Sequence, residues 1–133
     1  MAIARNGGEI EIWGDGEQTR SFMYIDDCVE GLLRLMASDY HDALNLGTDQ
    51  LVTINELVDM VSAVAGKKLV KRHDLSKPQG VRGRNSDNTG LNKVLGWASS
   101  ISLDQGLAVT YKWIEDELRK KARVPVQSQK VLV

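Results

Sequence analysis

Two arginine-bearing segments carry residue types that readily bind an anion. In the first, a glycine turn at residues 14–16 leads into Arg20, which is soon followed by Phe22. A guanidinium group suits bidentate binding of a phosphate or carboxylate, and a strand would hold it more firmly than a loop. The alternative is a surface arginine paired with Glu17 or Asp26, because exposed ion pairs are common and weak. The residues alone leave both interpretations open.

The second segment combines charge, backbone freedom and hydrogen-bonding groups in the run Arg82, Gly83, Arg84, Asn85 and Ser86. Glycine would let the backbone approach a ligand closely, while the amide and hydroxyl side chains could supplement the two guanidinium groups. We therefore interpret the segment as half of a clamp for a diphosphate. The alternative is a turn in which Ser86 or Asp87 caps the helix that follows. The two interpretations are compatible, because the arginines could bind a diphosphate while Asp87 caps the helix that follows.

Two strands and a helix are predicted around the first arginine. Polar and apolar residues alternate over residues 9–13 and again over residues 20–25, which predicts a hairpin-like pair of strands around the glycine turn. Asp26 is placed to cap the next helix, which we expect to be half buried and to end near Ser38. The apolar positions of that helix recur at helical spacing: Val29, Leu32, Leu33 and Met36.

Reciprocal capping signals mark two longer helices. Thr53 and Glu56 form the pattern of a capping box, and Gly66 is placed to end that helix in the left-handed conformation. Ser102 and Gln105 give the same signal at the start of a final helix. We expect both helices to pack through one apolar face.

The remaining segments complete a small mixed α/β domain. They are short extended stretches at residues 43–46 and 68–71, a loop at residues 74–87 and a short helix at residues 91–95. The domain would cover residues 1–118. From residue 119 the sequence turns basic and then loses its pattern, so residues 119–133 are expected to form a mobile tail.

Charge and cysteine content narrow the possible partners. The 133 residues include 17 Lys and Arg against 18 Asp and Glu, so no basic field is available for nucleic acid or an anionic membrane. No apolar run approaches the roughly 20 residues that span a bilayer. The single cysteine, Cys28, excludes an internal disulfide and suits a cytoplasmic location. His41 and His73 lack the spacing of a zinc site, so no metal is predicted.

Read in order, several motifs resemble those of one family. They are Trp13-Gly14-Asp15-Gly16, Gln18-Thr19-Arg20-Ser21-Phe22, Tyr24-Ile25-Asp26-Asp27, Asn45-Leu46-Gly47, Arg82-Gly83-Arg84-Asn85-Ser86-Asp87-Asn88 and Leu95-Gly96-Trp97. From about Gly7 to Leu118 the chain resembles the C-terminal, substrate-binding domain of extended short-chain dehydrogenase/reductase epimerases, without their complete Rossmann domain. These enzymes are NAD-dependent and act on nucleotide sugars. The resemblance implies that Arg20 contacts the nucleotide diphosphate and that the segment from Arg82 to Ser86 completes the substrate pocket.

The same resemblance implies that the redox half of such an enzyme is missing from these residues. The Gly-x-x-Gly-x-x-Gly turn that holds the NAD pyrophosphate has no counterpart in the glycine spacing. Tyr24, Tyr40 and Tyr111 are followed four residues later by residues other than lysine, so the family's Tyr-x-x-x-Lys pair is absent as well. We therefore expect no catalytic residue, no NAD bound by this chain alone, and no inherited role for Cys28.

The resulting hypothesis is that the chain binds a GDP-sugar, as the nucleotide-sugar-binding part of an epimerase that is inactive alone. A homodimer or a complementing chain is the expected partner, because a severed domain leaves an apolar surface that tends to recruit one. The alternative is a non-enzymatic interaction or dimerisation protein derived from a truncated epimerase gene.

Overall fold

The computed structural model describes residues 8–123, apart from the side chain of Arg123. Within that range five strands are present: β1 (Gly8–Trp13), β2 (Thr19–Arg20), β3 (Val52–Thr53), β4 (Leu69–Asp74) and β5 (Gly83–Arg84). The same range holds four helices: α1 (Ile25–Met36), α2 (Ile54–Ala65), α3 (Thr89–Leu95) and α4 (Leu103–Arg123). This is the small mixed α/β architecture expected from the sequence.

The strands form two small sheets. β1 and β4 pair in parallel along their whole length, with Gly8 opposite Leu69 and Trp13 opposite Asp74. β2 lies between β3, to which it is antiparallel, and β5, to which it is parallel. The predicted hairpin is therefore wrong. The alternation of residues 9–13 suits a parallel partner equally well, and the glycine turn carries the chain from one sheet into the other.

Helix α1 presents its apolar side outward. It begins after Tyr24, so the expected cap at Asp26 is wrong, and Asp26 lies in the first turn. The buried positions of the helix are Asp27 and Gly31. Glycine is required there because a Cβ would lie 2.9 Å from the Trp97 ring. The apolar residues predicted to half-bury the helix are consequently 46–81% exposed: Val29, Leu32, Leu33 and Met36.

The two longer helices begin where the capping signals predict. Thr53 Oγ1 accepts a bond from the N–H of Glu56 at 3.0 Å, and the Glu56 carboxylate accepts from the N–H of Thr53 at 2.7 Å. Gly66 follows α2 with a left-handed φ of 62°. Ser102 and Gln105 exchange the equivalent pair of bonds at the start of α4. Helices α2 and α4 pack together. The buried apolar side chains of the described residues are Ile12, Val52, Val58 and Leu91.

Short and terminal elements differ more from expectation. Residues 74–87, predicted to be a loop, contain the end of β4 and the two-residue strand β5, whose pairing depends on a distant neighbour. Residues 43–46 form no strand. Helix α4 continues past the expected domain boundary to Arg123, and the rest of the expected tail lies outside the described residues. Across residues 8–123, no helix is both long and apolar enough to span a membrane.

Candidate anion-binding site

The two arginine-bearing segments meet in the three-stranded sheet. Because β2 and β5 pair in parallel, Arg20 lies directly opposite Arg84. Paired residues of neighbouring strands project to the same face of a sheet, so the two side chains share one side. Backbone bonds extend this register, from Thr19 N–H to Arg82 O at 2.8 Å and from Ser21 N–H to Arg84 O at 3.3 Å.

The facing arginines form a concentration of positive charge. Within residues 8–123 neither guanidinium group makes an ion pair with an acid. Arg20 Nη1 donates to the carbonyl oxygen of Thr19 at 2.6 Å. Because this acceptor is neutral, it does not compensate the charge of the guanidinium group. Like charges directly opposite each other on neighbouring strands are destabilising. An anion between the two groups would therefore relieve their repulsion.

A cavity of about 380 Å³ opens beside this pair. Its lining includes four of the five predicted binding residues: Arg20, Arg84, Asn85 and Ser86. Residues 45–48 also line the cavity, and a bond from Ser86 N–H to Thr48 O at 3.2 Å ties them to the segment after β5. Gly47 permits this approach, because a Cβ there would lie 2.7 Å from the Cβ of Ser86.

The fifth predicted residue, Arg82, is placed differently. It does not line the cavity, and its Nη1 donates to the two carboxylate oxygens of Asp15 at 3.0 and 2.8 Å. The bond from Arg82, reinforced by the backbone N–H of Glu17, lowers the pKa of the Asp15 carboxyl below its usual value. Arg82 therefore fastens the glycine turn to the segment before β5, and the surface ion pair weighed for Arg20 is found at Arg82 instead.

The cavity also contains polar residues that the sequence analysis did not assign. Ser21 and Thr48 contribute hydroxyl groups and Asn45 contributes an amide. Asn45 and Gly47 belong to one of the motifs that carry the family resemblance. That motif was the only sequence feature that could have pointed to them as residues of the site. Their position against Ser86 depends on the folded path of the chain, so spacing alone could not assign them.

The groups that line the cavity are chemically suited to an anion. Guanidinium, hydroxyl and amide groups together supply donors for phosphate oxygens and sugar hydroxyls. No group of three His, Cys, Asp or Glu side chains within the described range is arranged to hold a metal ion. The residues do not fit NAD either. None of the four helices in residues 8–123 follows a strand through a glycine-rich turn, the arrangement that binds a dinucleotide pyrophosphate.

Comparison with known proteins places these features in context. Residues 1–110 match the family model described as GDP-mannose 4,6 dehydratase. The chain is 50% identical over 111 residues to GDP-mannose 3,5-epimerase of Arabidopsis thaliana, which covers 84% of this chain and 29% of that protein. It is 38% identical over 119 residues to dTDP-4-dehydro-6-deoxy-D-allose reductase of Streptomyces bikiniensis, covering 90% of this chain and 36% of that protein. The chain spans well under half the length of these curated relatives.

Solved structures of similar fold include nucleotide-sugar complexes. UDP-glucose 4-epimerase of Thermotoga maritima, solved with UDP-glucose, has a TM-score of 0.78 and 30% identity, over 83% of this chain and 36% of that one. UDP-glucuronic acid 4-epimerase of Bacillus cereus, in complex with UDP-glucuronic acid and NAD, has a TM-score of 0.75 and 28% identity, over 82% and 36%. These likenesses do not favour the alternative of a non-enzymatic protein. Since the family model matches residues 1–110 of the 133, the chain belongs to the GDP-mannose 4,6 dehydratase family, a family of nucleotide-sugar enzymes.

Proposed function

We propose that this chain is the part of a GDP-sugar epimerase that binds the diphosphate of the nucleotide sugar. Arg20 and Arg84 bind the diphosphate oxygens, while Asn85 and Ser86 donate to the phosphate or to the adjoining sugar. The proposal leaves Arg82 out of the binding set, because its guanidinium group is taken by Asp15. In the cytoplasm, where a lone cysteine stays reduced, nucleotide sugars would be available to such a site.

The observation that carries this proposal is the register of β2 and β5. It sets two arginines side by side without an acidic partner in the described residues, at the edge of a cavity with further donors. A diphosphate carries the negative charge that such a pair needs, and its paired oxygens match the fork of each guanidinium group. A singly charged carboxylate would neutralise only one of the two groups.

The redox step is assigned to residues outside this chain. Oxidation of the hexose, inversion at carbon and return of the hydride require an NAD site and a proton-transfer group. In our proposal these come from a complementing chain or from another part of a longer protein. This chain alone is then a weak binder without activity, because half of the pocket faces water.

Isothermal titration calorimetry with GDP-mannose tests the binding role. We expect weak binding by the unmodified chain, in the millimolar range. The variants Arg20→Ala and Arg84→Ala should each weaken it about tenfold or more, since a charge-assisted bond contributes about 1.5–3 kcal/mol. Arg82→Ala is the matched control, because it removes an arginine that precedes β5 without touching the cavity, and it should change the affinity less than twofold.

Two results would contradict the proposal. One is the absence of any heat at millimolar GDP-mannose, provided that circular dichroism shows a folded chain. The other is equal loss of affinity in all three arginine variants, which would mean that general positive charge attracts the ligand and that the β2–β5 pair has no special role.

A further inference from the structure

Two loop segments meet at one wall of the cavity in the candidate site. They comprise residues 45–48 and residues 85–88, and neither segment forms a strand. A backbone bond joins them, from Ser86 N–H to Thr48 O at 3.2 Å. Because no ladder of strand bonds fixes their separation, it depends on how closely the side chains let the two segments approach.

Gly47 lies where the two segments touch. A Cβ at this position would lie 2.7 Å from Cβ and 3.1 Å from Oγ of Ser86. Two carbon atoms in ordinary contact are about 3.5–4.0 Å apart, so a methyl group here would force a movement of roughly 1 Å. Apart from the chain neighbours of Gly47, no other described residue lies within 4 Å of that Cβ. The displacement would therefore fall on Ser86.

The φ angle of Gly47 does not itself require glycine. The glycines of the described residues that have a left-handed φ are elsewhere: Gly8, Gly14, Gly16, Gly66, Gly80 and Gly96. An alanine at position 47 would thus not meet the steric barrier of the left-handed region. The close approach of Ser86 remains as the physical reason for a glycine at this position.

We infer that Gly47 is a positioning residue for the candidate site, which acts by letting Ser86 lie against residues 45–48. The inference rests on the proposed function, because Ser86 is one of the groups proposed to bind the phosphate or the adjoining sugar. A side chain at position 47 would push Ser86 into the cavity, or push residues 45–48 away and lengthen the bond to Thr48 O. Either movement misplaces donors of the site, and a displacement of about 1 Å is enough to weaken well-aligned interactions substantially.

The contacts around Ser86 keep this effect local. Its hydroxyl donates to Asn88 Oδ1 at 2.8 Å, and Asn88 O accepts a bond from Asn92 N–H at 3.0 Å, in the first turns of α3. Helix α3 is itself anchored by Leu91, which is 1% exposed. A shift of Ser86 therefore disturbs the bond to Asn88 without exposing this buried side chain. We expect the urea midpoint of Gly47→Ala to stay close to that of the unmodified chain.

An NMR titration of the full chain with GDP-mannose measures the effect on binding. Gly47→Ala should raise the dissociation constant about tenfold, and the larger side chain of Gly47→Val should raise it further. Ser86→Gly removes both atoms that the added Cβ would meet. On that background Gly47→Ala should change the dissociation constant by less than about twofold, because the two substitutions are coupled. On a Ser86→Ala background, which keeps the Cβ, Gly47→Ala should still weaken binding.

Gly90→Ala is the matched control. This glycine lies in α3 and does not line the cavity. An added Cβ would lie 3.2 Å from Cδ1 of Leu44, the end of a flexible side chain. The substitution adds the same methyl group as Gly47→Ala, and the dissociation constant should stay unchanged.

The backbone amide of Ser86 gives a readout that needs no ligand. In two-dimensional amide NMR spectra, Gly47→Ala should shift the resonances of residues 85–88. It should also speed hydrogen exchange of the Ser86 N–H, because the bond to Thr48 O lengthens. Combining Gly47→Ala with Ser86→Gly should restore the slower exchange at position 86.

Unchanged amide resonances at residues 85–88 in Gly47→Ala overturn the inference, whether or not GDP-mannose binds. The inference is also wrong if Gly47→Ala weakens binding equally with and without the Ser86 side chain, because the glycine would then act through another contact. Binding that Gly47→Ala leaves intact overturns the inference and supports the proposed function. If the unmodified chain does not bind GDP-mannose while the Ser86 amide responds as expected, Gly47 positions Ser86 and the proposed ligand is wrong.

Discussion

At the scale of single residues, Arg20 and Arg84 lie opposite each other on β2 and β5. Neither positive charge is paired with an acidic side chain in the described residues. Like charges paired across neighbouring strands repel, so we expect the pair to lower the stability of the ligand-free protein and a bound anion to restore it. Cross-strand pairs contribute roughly 0.2–1 kcal/mol, with like charges acting against stability. In our proposal the pair favours ligand binding at the expense of the stability of the ligand-free protein, a trade-off common at functional sites.

This trade-off predicts a gain of stability on removing one charge. Arg84→Gln should raise the free energy of unfolding of the ligand-free protein by a few tenths to about 1 kcal/mol, because it ends the repulsion while keeping a side chain of similar length. Urea denaturation followed by circular dichroism measures the change. Arg82→Gln serves as the comparison and should give no gain, since it breaks the ion pair with Asp15. A loss of stability in Arg84→Gln would show that the two charges do not repel in the folded protein.

The difference between Arg82 and Arg84 could not be deduced from the sequence. Both flank Gly83, and either could have been the residue opposite Arg20. The choice is set by the pairing of β2 with β5, and sliding the register by two residues would place Arg82 opposite Arg20 instead. The residue types predicted an anion-binding group, whereas deciding which arginine lies opposite Arg20 needed the fold.

At the scale of elements, a buried carboxylate joins helix α1 to a segment that lies 73 and 74 residues further along the chain. Asp27 is 5% exposed and lies in the first turn of α1. Its Oδ2 accepts bonds from the backbone N–H groups of Ser100 at 3.0 Å and Ile101 at 2.8 Å. These bonds hold the segment that leads into α4, and thereby fix where α4 starts relative to α1.

Asp27→Ala should therefore be strongly destabilising. It leaves two backbone N–H groups without their acceptor, and hydrogen bonds to a charged group contribute about 1.5–3 kcal/mol each, so we expect a loss of about 3–6 kcal/mol in the free energy of unfolding. Urea denaturation measures this loss. Asp26→Ala removes the neighbouring carboxylate, which is exposed, and should change stability by less than about 0.5 kcal/mol. Comparable effects of the two substitutions would mean that the Asp27 bonds contribute little.

Local signals predicted the helices better than the sheets. The capping boxes at Thr53 and Ser102 act between residues three apart, so their chemistry is visible in the sequence and the helices begin where expected. Strand partners are chosen over long separations, which is why the predicted hairpin was wrong. The apolar spacing of α1 correctly indicated a helix but not the direction of its apolar face. That direction is set by Gly31 and Asp27, which look unremarkable in the sequence.

At the scale of the whole molecule, two surfaces of opposite character adjoin. Met23 lines both the cavity beside Arg20 and Arg84 and an apolar cavity of about 560 Å³ whose lining also includes Ile25, Val109 and Trp113. The chain spans well under half the length of its curated relatives, and the cavity lined by Arg20 and Arg84 is formed by strands and loops of the described residues.

A final prediction concerns NAD, which also contains a diphosphate. The described helices offer it no glycine-rich turn, so any contact should be limited to the arginine pair of β2 and β5. We expect calorimetry to detect GDP-mannose but not NAD at equal concentrations, because NAD carries less net negative charge to offset the repulsion between Arg20 and Arg84. Weak NAD binding that disappears in Arg20→Ala would still be consistent with a shared anion site. Binding of NAD that persists in Arg20→Ala would require a separate dinucleotide site within this chain. The proposal that this chain binds the nucleotide sugar while residues outside it bind NAD would then be wrong.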